Sequence, residues 1–186
     1  QKYKQSILPY DPPVIGYLER QCKEKGLEVL AKAYVILKKD DRFKNVKLRV
    51  AGGMTPGDEP FVDGIKRYLK QASVIGDVEF LPNLGIKERI EFLSSLTVLS
   101  VPAEHKEAFG VYVIEAFASG VPVVQPNHGA FTELMNIIKG GIIYEPNEPS
   151  ILAKEMGSLL LNPERARELG NIGKKAVVEN FRIEDT

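Results

Sequence analysis

Residues 13–51 read PVIGYLERQCKEKGLEVLAKAYVILKKDDRFKNVKLRVA, in which two short apolar runs flank a longer segment with helical spacing. The runs are PVIGYL and VKLRVA, and between them Leu27, Leu30, Tyr34 and Leu37 recur every three or four residues. Two strands joined by a helix of this length lie parallel, because only a long crossover connects parallel neighbours. These residues therefore predict the first unit of a parallel sheet.

The same alternation of short apolar runs and helical segments continues to the end of the chain. Predicted strands cover residues 13–18, 46–51, 78–81, 97–101, 122–125 and 141–144, and predicted helices cover 27–37, 61–74, 86–96, 109–118, a short stretch from 130, 150–161 and 163–180. Short strands that are apolar on both faces are typical of a sheet covered by helices. We predict a doubly wound α/β domain with six parallel strands in the order 3-2-1-4-5-6, which binds ligands beyond the carboxyl ends of its strands.

Composition is that of a globular protein with one domain. The 186 residues are 44% hydrophobic and 27% charged, which provides enough apolar side chain for a core. No apolar stretch reaches the roughly 20 residues that span a bilayer, so a membrane-spanning class is not expected. Cys22 is the single cysteine, so we expect no disulfide framework and a reducing, cytoplasmic setting. Because Gln1 stands where Met would begin a complete protein, we expect an amino-terminal portion to be missing.

Charge is balanced overall but unevenly distributed. The 25 basic residues equal the 25 acidic ones, which argues against a nucleic-acid-binding protein. Residues 1–50 nevertheless carry 12 Lys and Arg against 6 Asp and Glu. This basic quarter indicates either an anionic ligand or an ordinary solvated face.

Three cations stand close together just before the first predicted helix. Arg20, Lys23 and Lys25 fall within six residues and precede Gly26. A helix amino terminus offers unpaired N–H groups and the positive end of the helix dipole, so added cations there favour an anion. The alternative is that the two lysines are solvated, with Glu24 as their partner.

Residues 108–124 read AFGVYVIEAFASGVPVV, and Glu115 is the only charged residue among them. An unpaired carboxylate in apolar surroundings is costly, so Glu115 must reach an edge, a cation or a polar ligand. Glu107 lies eight residues earlier, next to a predicted helix start at which Gly110 permits close backbone approach. Two carboxylates around a helix start suit a ligand with hydroxyls and phosphate. Alternatively, Glu107 is an ordinary first-turn residue and Glu115 points to water.

Other candidates are weaker. No G-x-G-x-x-G motif follows the first predicted strand, which argues against the usual dinucleotide fingerprint. The glycine-containing residues 170–175 have the wrong spacing for a phosphate loop and lie in a terminal helix. His105 and His128 fall in predicted loops, and neither is assigned a role.

Together these motifs resemble the retaining GT-B glycosyltransferases of group 1, or family 4. Glu107 and Glu115 match the E-x7-E signature of that family, and SGVPVV at 119–124 follows it as the family pattern does. Arg20 and Lys25 resemble its phosphate-binding pair. The resemblance covers nearly the whole chain and implies a Rossmann-like sheet that forms the carboxyl-terminal half of a GT-B fold.

The resemblance also implies roles for individual residues. Arg20 and Lys25 would bind the diphosphate together with the N–H groups of Gly110 and Val111, in a donor site that includes Phe109. It further implies that Glu107 holds hydroxyls of the transferred sugar, while Glu115 accepts hydrogen bonds from the ribose. The nucleobase would rest on backbone groups of residues 81–83, beginning with Leu81.

The whole of 1–186 would then be one nucleotide-sugar-binding domain, whose amino-terminal acceptor domain is absent from this chain. The resemblance implies transfer from a nucleoside-diphosphate sugar with retention of configuration, no metal or other cofactor, and no turnover by this domain alone. Peripheral membrane contact would belong to the missing half. Two alternatives stay open: a nucleotide-sugar-binding or regulatory module without transfer activity, and a GT-B sugar-nucleotide epimerase.

Overall fold

The computed structural model describes residues 11–105 and 110–181, in which six strands form a parallel sheet. The strands are β1 (Val14–Leu18), β2 (Lys47–Gly52), β3 (Val78–Pro82), β4 (Val98–Leu99), β5 (Val123–Pro126) and β6 (Gly141–Tyr144). They pair in the order β3-β2-β1-β4-β5-β6, and each pairing is parallel. The predicted fold class and strand order are confirmed.

Helices join successive strands and complete the chain after β6. They are α1 (Leu27–Lys38), α2 (Glu59–Gln71), α3 (Ile86–Ser94), α4 (Val111–Ala118), α5 (Ala130–Ile138), α6 (Pro149–Leu160) and α7 (Pro163–Asn180). In a parallel unit each helix begins where a strand has just ended. We call the side of the sheet where strands end and helices begin the carboxyl edge, and the opposite side the amino edge.

The core lies on both faces of the central strands. Ile15 and Tyr17 lie on one face of β1 and Leu18 lies on the other, and all three are buried. Leu30 and Tyr34 of α1 are also fully buried, as their helical spacing predicted. The Tyr34 hydroxyl donates to the Val46 carbonyl at 2.7 Å, so this buried polar group has a partner. Burial raises the pKa of Tyr34 and keeps it neutral.

Strand β4 is shorter than the predicted 97–101, because side chains take over its pairing beyond Leu99. The Val101 N–H donates to Gln125 Oε1 at 2.8 Å, and Gln125 Nε2 donates back to the Val101 carbonyl at 3.3 Å. The Ser100 hydroxyl likewise donates to the Val124 carbonyl at 2.7 Å. The segment after Leu99 therefore stays attached to β5 through side chains, while the Ser100 N–H still donates to the Gly16 carbonyl of β1 at 3.0 Å.

Other boundaries differ from the predictions by one to three residues. Helix α2 ends at Gln71 rather than 74, because Ser73 has φ 59° and this left-handed conformation stops the helix. Two 3₁₀ turns, at Asp41–Phe43 and Ile75–Asp77, were not predicted. Within the described part of the chain, no helix is both long and apolar enough to cross a bilayer.

Candidate functional site

The loop between β1 and α1, residues 19–26, folds over a buried tyrosine. The hydroxyl of the fully buried Tyr17 lies 2.7 Å from the Arg20 carbonyl oxygen and 3.3 Å from that of Lys25. One hydroxyl thus ties together the two ends of the segment that carries the predicted phosphate-binding residues. Sequence reasoning gave Tyr17 no role beyond the strand.

The side chains of both predicted cations in this loop lie beside carboxylates. Arg20 Nε and Nη2 donate to Asp58 at 3.2 and 2.9 Å, and 56% of the Arg20 side chain remains exposed. The half-buried Lys25 ammonium lies 3.9 Å from Glu19 Oε2. Hydrogen bonds from Arg20, and then from Thr55, lower the pKa of Asp58 to about 2. Asp58 is therefore charged at neutral pH, and its pair with Arg20 persists there.

The loop after β1 packs directly against the loop after β4. The Glu104 N–H donates to the Glu24 carbonyl at 3.1 Å. Gly26 has φ 77°, and a Cβ there would lie 1.9 Å from the Pro102 carbonyl oxygen, so a larger residue requires the backbone to move. The two loops follow neighbouring strands at the point where the strand order reverses, which is where such sheets bind ligands.

The predicted sugar-binding segment is only partly visible. Glu107 and Phe109 lie outside the described residues. Gly110 is buried at the amino-terminal cap position of α4, and Val111 is the first helical residue, about half exposed. The first N–H groups of a helix have no partner within the helix, and no described side chain caps α4. Gly110 and Val111 thus stand at a helix start suited to an anion.

Side chains from the loops after β5 and β6 hold the loop that leads towards this helix. The Ala103 carbonyl lies 2.8 Å from His128 Nε2 and 3.1 Å from Asn147 Nδ2. Because a carbonyl only accepts hydrogen bonds, His128 carries its proton on Nε2 in this contact. Tyr144 in turn donates to Asn147 Oδ1 at 2.7 Å. His128, unassigned from the sequence, therefore helps to position the loop after β4.

Glu115 reaches a cation, which was one of the three outcomes that its apolar surroundings required. Arg89 Nε lies 3.1 and 3.0 Å from the two Glu115 carboxylate oxygens, and Arg89 Nη2 also donates to Oε2. Arg89 lies in the first half of α3 and Glu115 in α4, so the ion pair ties together two helices that begin at the carboxyl edge. The Arg89 side chain is about one third exposed, whereas Glu115 is largely buried.

The residues predicted to lie against the nucleobase, 81–83, span the end of β3 and the residue that follows it. Leu81 lies inside β3, in agreement with the predicted strand 78–81, and pairs with Ala51. Asn83 then donates its N–H to the Gly52 carbonyl at 2.9 Å, and its side chain bonds both backbone groups of Met54. These groups join the ends of β2 and β3. Strand β3 extends one residue beyond the predicted 78–81, through Pro82, and the nucleobase contact of residues 81–83 stays a prediction.

Sequence reasoning missed Asp58, the acidic partner of Arg20, and Arg89, the basic partner of Glu115. Asp58 lies at the start of α2 and pairs with Arg20, which is 38 residues away in the chain. Arg89 and Glu115 are 26 residues apart. The turn before α2 and the lone carboxylate at 115 were usable signals, but neither identifies its partner. Among residues 11–105 and 110–181, no three His, Cys, Asp or Glu side chains are grouped to hold a metal ion.

Comparison with known protein sequences gives a family match over most of the chain. The profile of the family described as "Glycosyl transferases group 1" matches residues 1–176. One relative is the GDP-mannose-dependent alpha-(1-6)-phosphatidylinositol monomannoside mannosyltransferase of Mycolicibacterium smegmatis, which is 25% identical over 178 residues. That match covers 92% of this chain and 45% of the relative. The chain thus spans less than half the length of this curated relative.

Solved structures share the fold. The C-terminal domain of a glycosyl transferase group 1 family protein (LpcC) from Francisella tularensis superposes with a TM-score of 0.83 at 23% identity, covering 98% of this chain and 90% of that one. Anabaena Alr3699/HepE in complex with UDP and glucose gives a TM-score of 0.79 at 19% identity, covering 89% of this chain and 43% of that one. At these identities the likeness extends to the fold.

Proposed function

The chain belongs to the glycosyl transferases group 1 family, and on that premise we propose that it is the donor-binding domain of a retaining glycosyltransferase. Its ligand in this proposal is a nucleoside-diphosphate sugar, and an acceptor domain supplies the other wall of the cleft. The relative from M. smegmatis is named as GDP-mannose-dependent, and the Anabaena protein was solved with UDP. The shared feature of these ligands is a nucleoside diphosphate, so the proposal leaves the base open.

The contact between the loops after β1 and β4 carries the proposal. The hydrogen bond from Glu104 to Glu24 and the close approach of Gly26 to Pro102 hold the two loops together. Cations therefore come from one loop, while the other leads towards the helix start at Val111. An anionic group between the two would meet donors from both sides.

Charge development gives these donors a role in the reaction. Breaking the bond between the anomeric carbon and the diphosphate places negative charge on the leaving phosphate oxygens. Donors that are already in position where this charge grows lower the barrier. We assign Arg20, Lys25 and the N–H groups of Gly110 and Val111 to the diphosphate, and Glu107 and Glu115 to hydroxyls of the sugar and ribose. The acceptor would attack from the face that the leaving group departs, which retains configuration.

Calorimetric titration of this chain with UDP, GDP and ADP tests the proposal. We expect one of the three to bind, and Arg20→Ala or Lys25→Ala to weaken its binding by about tenfold or more through loss of a charge-assisted contact. Arg42→Ala is the control, because Arg42 pairs with Asp40 away from the carboxyl edge. Binding that is unchanged by EDTA would support a metal-independent site. If none of the diphosphates binds, or if both variants bind within twofold of the wild type, the proposal is wrong.

Turnover is a separate expectation. Because half of the cleft would come from another domain, this chain should bind the diphosphate sugar without transferring it. Product analysis after incubation with the donor that binds best checks this point. A freed epimer of the sugar would favour the epimerase alternative instead.

A further inference from the structure

Arg20 is held along one edge by a carboxylate that water barely reaches. Asp58 is 6% exposed, and its two oxygens accept from Arg20 Nε and Nη2 at 3.2 and 2.9 Å. A guanidinium has five N–H donors in a rigid plane, so this pairing leaves three for other partners. With 56% of its side chain exposed, Arg20 presents its other edge to solvent.

Asp58 is itself fixed by its own turn. Its Oδ2 accepts from the Thr55 N–H at 2.9 Å and from the Thr55 hydroxyl at 2.8 Å, and its own N–H donates to the Thr55 carbonyl at 2.9 Å. The hydrogen bonds from Arg20, and then from Thr55, lower the pKa of Asp58 to about 2, so the carboxylate is charged at neutral pH and hydrogen-bonded to both residues. The turn at residues 55–58 lies between β2 and α2, so it is separate from the loop that carries Arg20.

We propose that Asp58 is a positioning residue that turns the open edge of Arg20 towards the diphosphate of the donor. The inference rests on the proposed function, since it takes that diphosphate as the ligand of Arg20. A long side chain on a surface loop loses considerable rotamer freedom when it binds a ligand. Asp58 removes that freedom beforehand, so the bound geometry of Arg20 exists before the donor arrives.

Two competing roles for Asp58 would have different consequences for diphosphate binding. If the carboxylate only neutralised Arg20, its removal would expose more positive charge and strengthen diphosphate binding. If it only supported the start of α2, its removal would lower stability without acting through Arg20. The sign of the affinity change and its dependence on Arg20 separate these roles.

The chain offers a matched control pair at the amino edge. Arg42 Nε lies 3.1 and 3.0 Å from the two Asp40 oxygens, and its Nη2 lies 2.6 Å from Oδ2. Asp40 also accepts from the Arg42 N–H at 2.9 Å, as Asp58 accepts from that of Thr55. Asp40→Asn therefore removes a similar carboxylate from a similar pair where no donor contact is proposed.

The experiment measures binding of UDP, GDP and ADP, each beside its nucleoside, by calorimetry in wild type, Asp58→Asn, Arg20→Ala and the double variant. We expect Asp58→Asn to weaken diphosphate binding about fivefold, to change nucleoside binding by less than twofold, and to have no further effect once Arg20 is Ala. Asp40→Asn should have no effect. Tighter diphosphate binding by Asp58→Asn, or an equal loss with and without Arg20, would overturn the proposal.

A measurement without ligand separates this proposal from the proposed function. In ¹⁵N NMR spectra the Arg20 Nε–H should exchange slowly with water in the wild type and become fast in Asp58→Asn, while the Arg42 signal stays unchanged. If wild type binds none of UDP, GDP and ADP, the proposed function fails and the ligand assigned to Arg20 fails with it. Equal Arg20 exchange in wild type and Asp58→Asn would instead overturn the positioning role itself, even if both proteins bind the diphosphate.

Discussion

Both edges of the sheet carry cations beside carboxylates, but Lys38 at the amino edge and Arg20 at the carboxyl edge are held differently. At the amino edge Lys38 is 7% exposed, and its ammonium contacts the Asp77 carboxylate and the carbonyls of Lys44 and Val46. An ammonium has three N–H donors, so these three contacts saturate it. At the carboxyl edge Arg20 uses two of five donors and remains largely exposed.

This difference separates a structural cation from one that can bind a ligand. The buried Lys38 ammonium stabilises the junction of α1, β2 and β3 and has no N–H left to donate to a ligand. The Arg20 guanidinium, held on one edge, keeps its orientation and has N–H groups that can donate to a ligand. The number of unused donors, together with exposure, therefore distinguishes Arg20 from Lys38 better than the presence of an ion pair does.

The largest expected effect concerns the place where the carboxyl-edge loops meet. Gly26→Ala puts a Cβ 1.9 Å from the Pro102 carbonyl oxygen at a φ of 77°, so we expect a loss of about 3 kcal/mol or more in the free energy of unfolding. Diphosphate binding should fall with it, since the two loops must separate. Gly76→Ala is the amino-edge control, because nothing lies within 4 Å of its added Cβ. Urea unfolding and calorimetry check both, and similar losses for the two would contradict the comparison.

Lys38→Met should affect stability and leave ligand binding unchanged. It removes one of the two cations of Asp77 and one donor each from the carbonyls of Lys44 and Val46, of which Val46 keeps the Tyr34 hydroxyl, for a loss of about 2 kcal/mol. The same chain should bind the diphosphate as the wild type does at a temperature where both are folded. A changed affinity would show that the amino edge contributes to the site.

Glu115→Gln should weaken binding by about threefold to tenfold, because an amide accepts hydrogen bonds from ribose hydroxyls less strongly than a carboxylate does. The loss should be the same for the nucleoside and the diphosphate, whereas Arg20→Ala should affect the diphosphate alone. Glu79→Gln is the control, because Glu79 forms an exposed pair with Arg49. Unchanged nucleoside affinity in Glu115→Gln would contradict the assignment of Glu115 to the ribose hydroxyls.

The smallest effect is the response of the Arg20–Asp58 pair to acid. The folded-state pKa of Asp58 is about 2, which is below the roughly 3.9 of an unfolded aspartate. Its contribution to stability is therefore complete above about pH 4 and is lost as the pH falls towards 2. The difference in unfolding free energy between wild type and Asp58→Asn, measured in urea from pH 6 to 2.5, should be constant at first and then shrink. A constant difference down to pH 2.5 would contradict the assignment.

Much of the fold could be predicted because its signals are local. Helix α7 spans Pro163–Asn180 as predicted, and Asn162 caps it by accepting from the Arg165 N–H at 3.1 Å. Strand order followed from the alternation of strands and long crossovers. The end of β4 could not be predicted, since it depends on Gln125, a side chain on the neighbouring strand.

The candidate site was predicted only where its residues are close in sequence. Arg20 and Lys25 share one loop, so their proximity was visible in the chain itself. Their surroundings depend on contacts between distant segments, and many carboxylates were equally available to Arg20 before the fold was known. Glu115 required a partner on physical grounds, yet only the packing of α3 beside α4 identifies Arg89.

Pairing within the carboxyl edge also has a kinetic consequence. The loop after β1 carries three cations, and three carboxylates lie in or against it, so their formal charges cancel: Arg20, Lys23 and Lys25 against Glu19, Glu24 and Asp58. A neutral cluster attracts a distant anion weakly, because long-range steering depends on net charge. The association rate of a diphosphate should therefore vary little with ionic strength. Differences in affinity between nucleotide-sugar donors should then come from the lifetime of the complex.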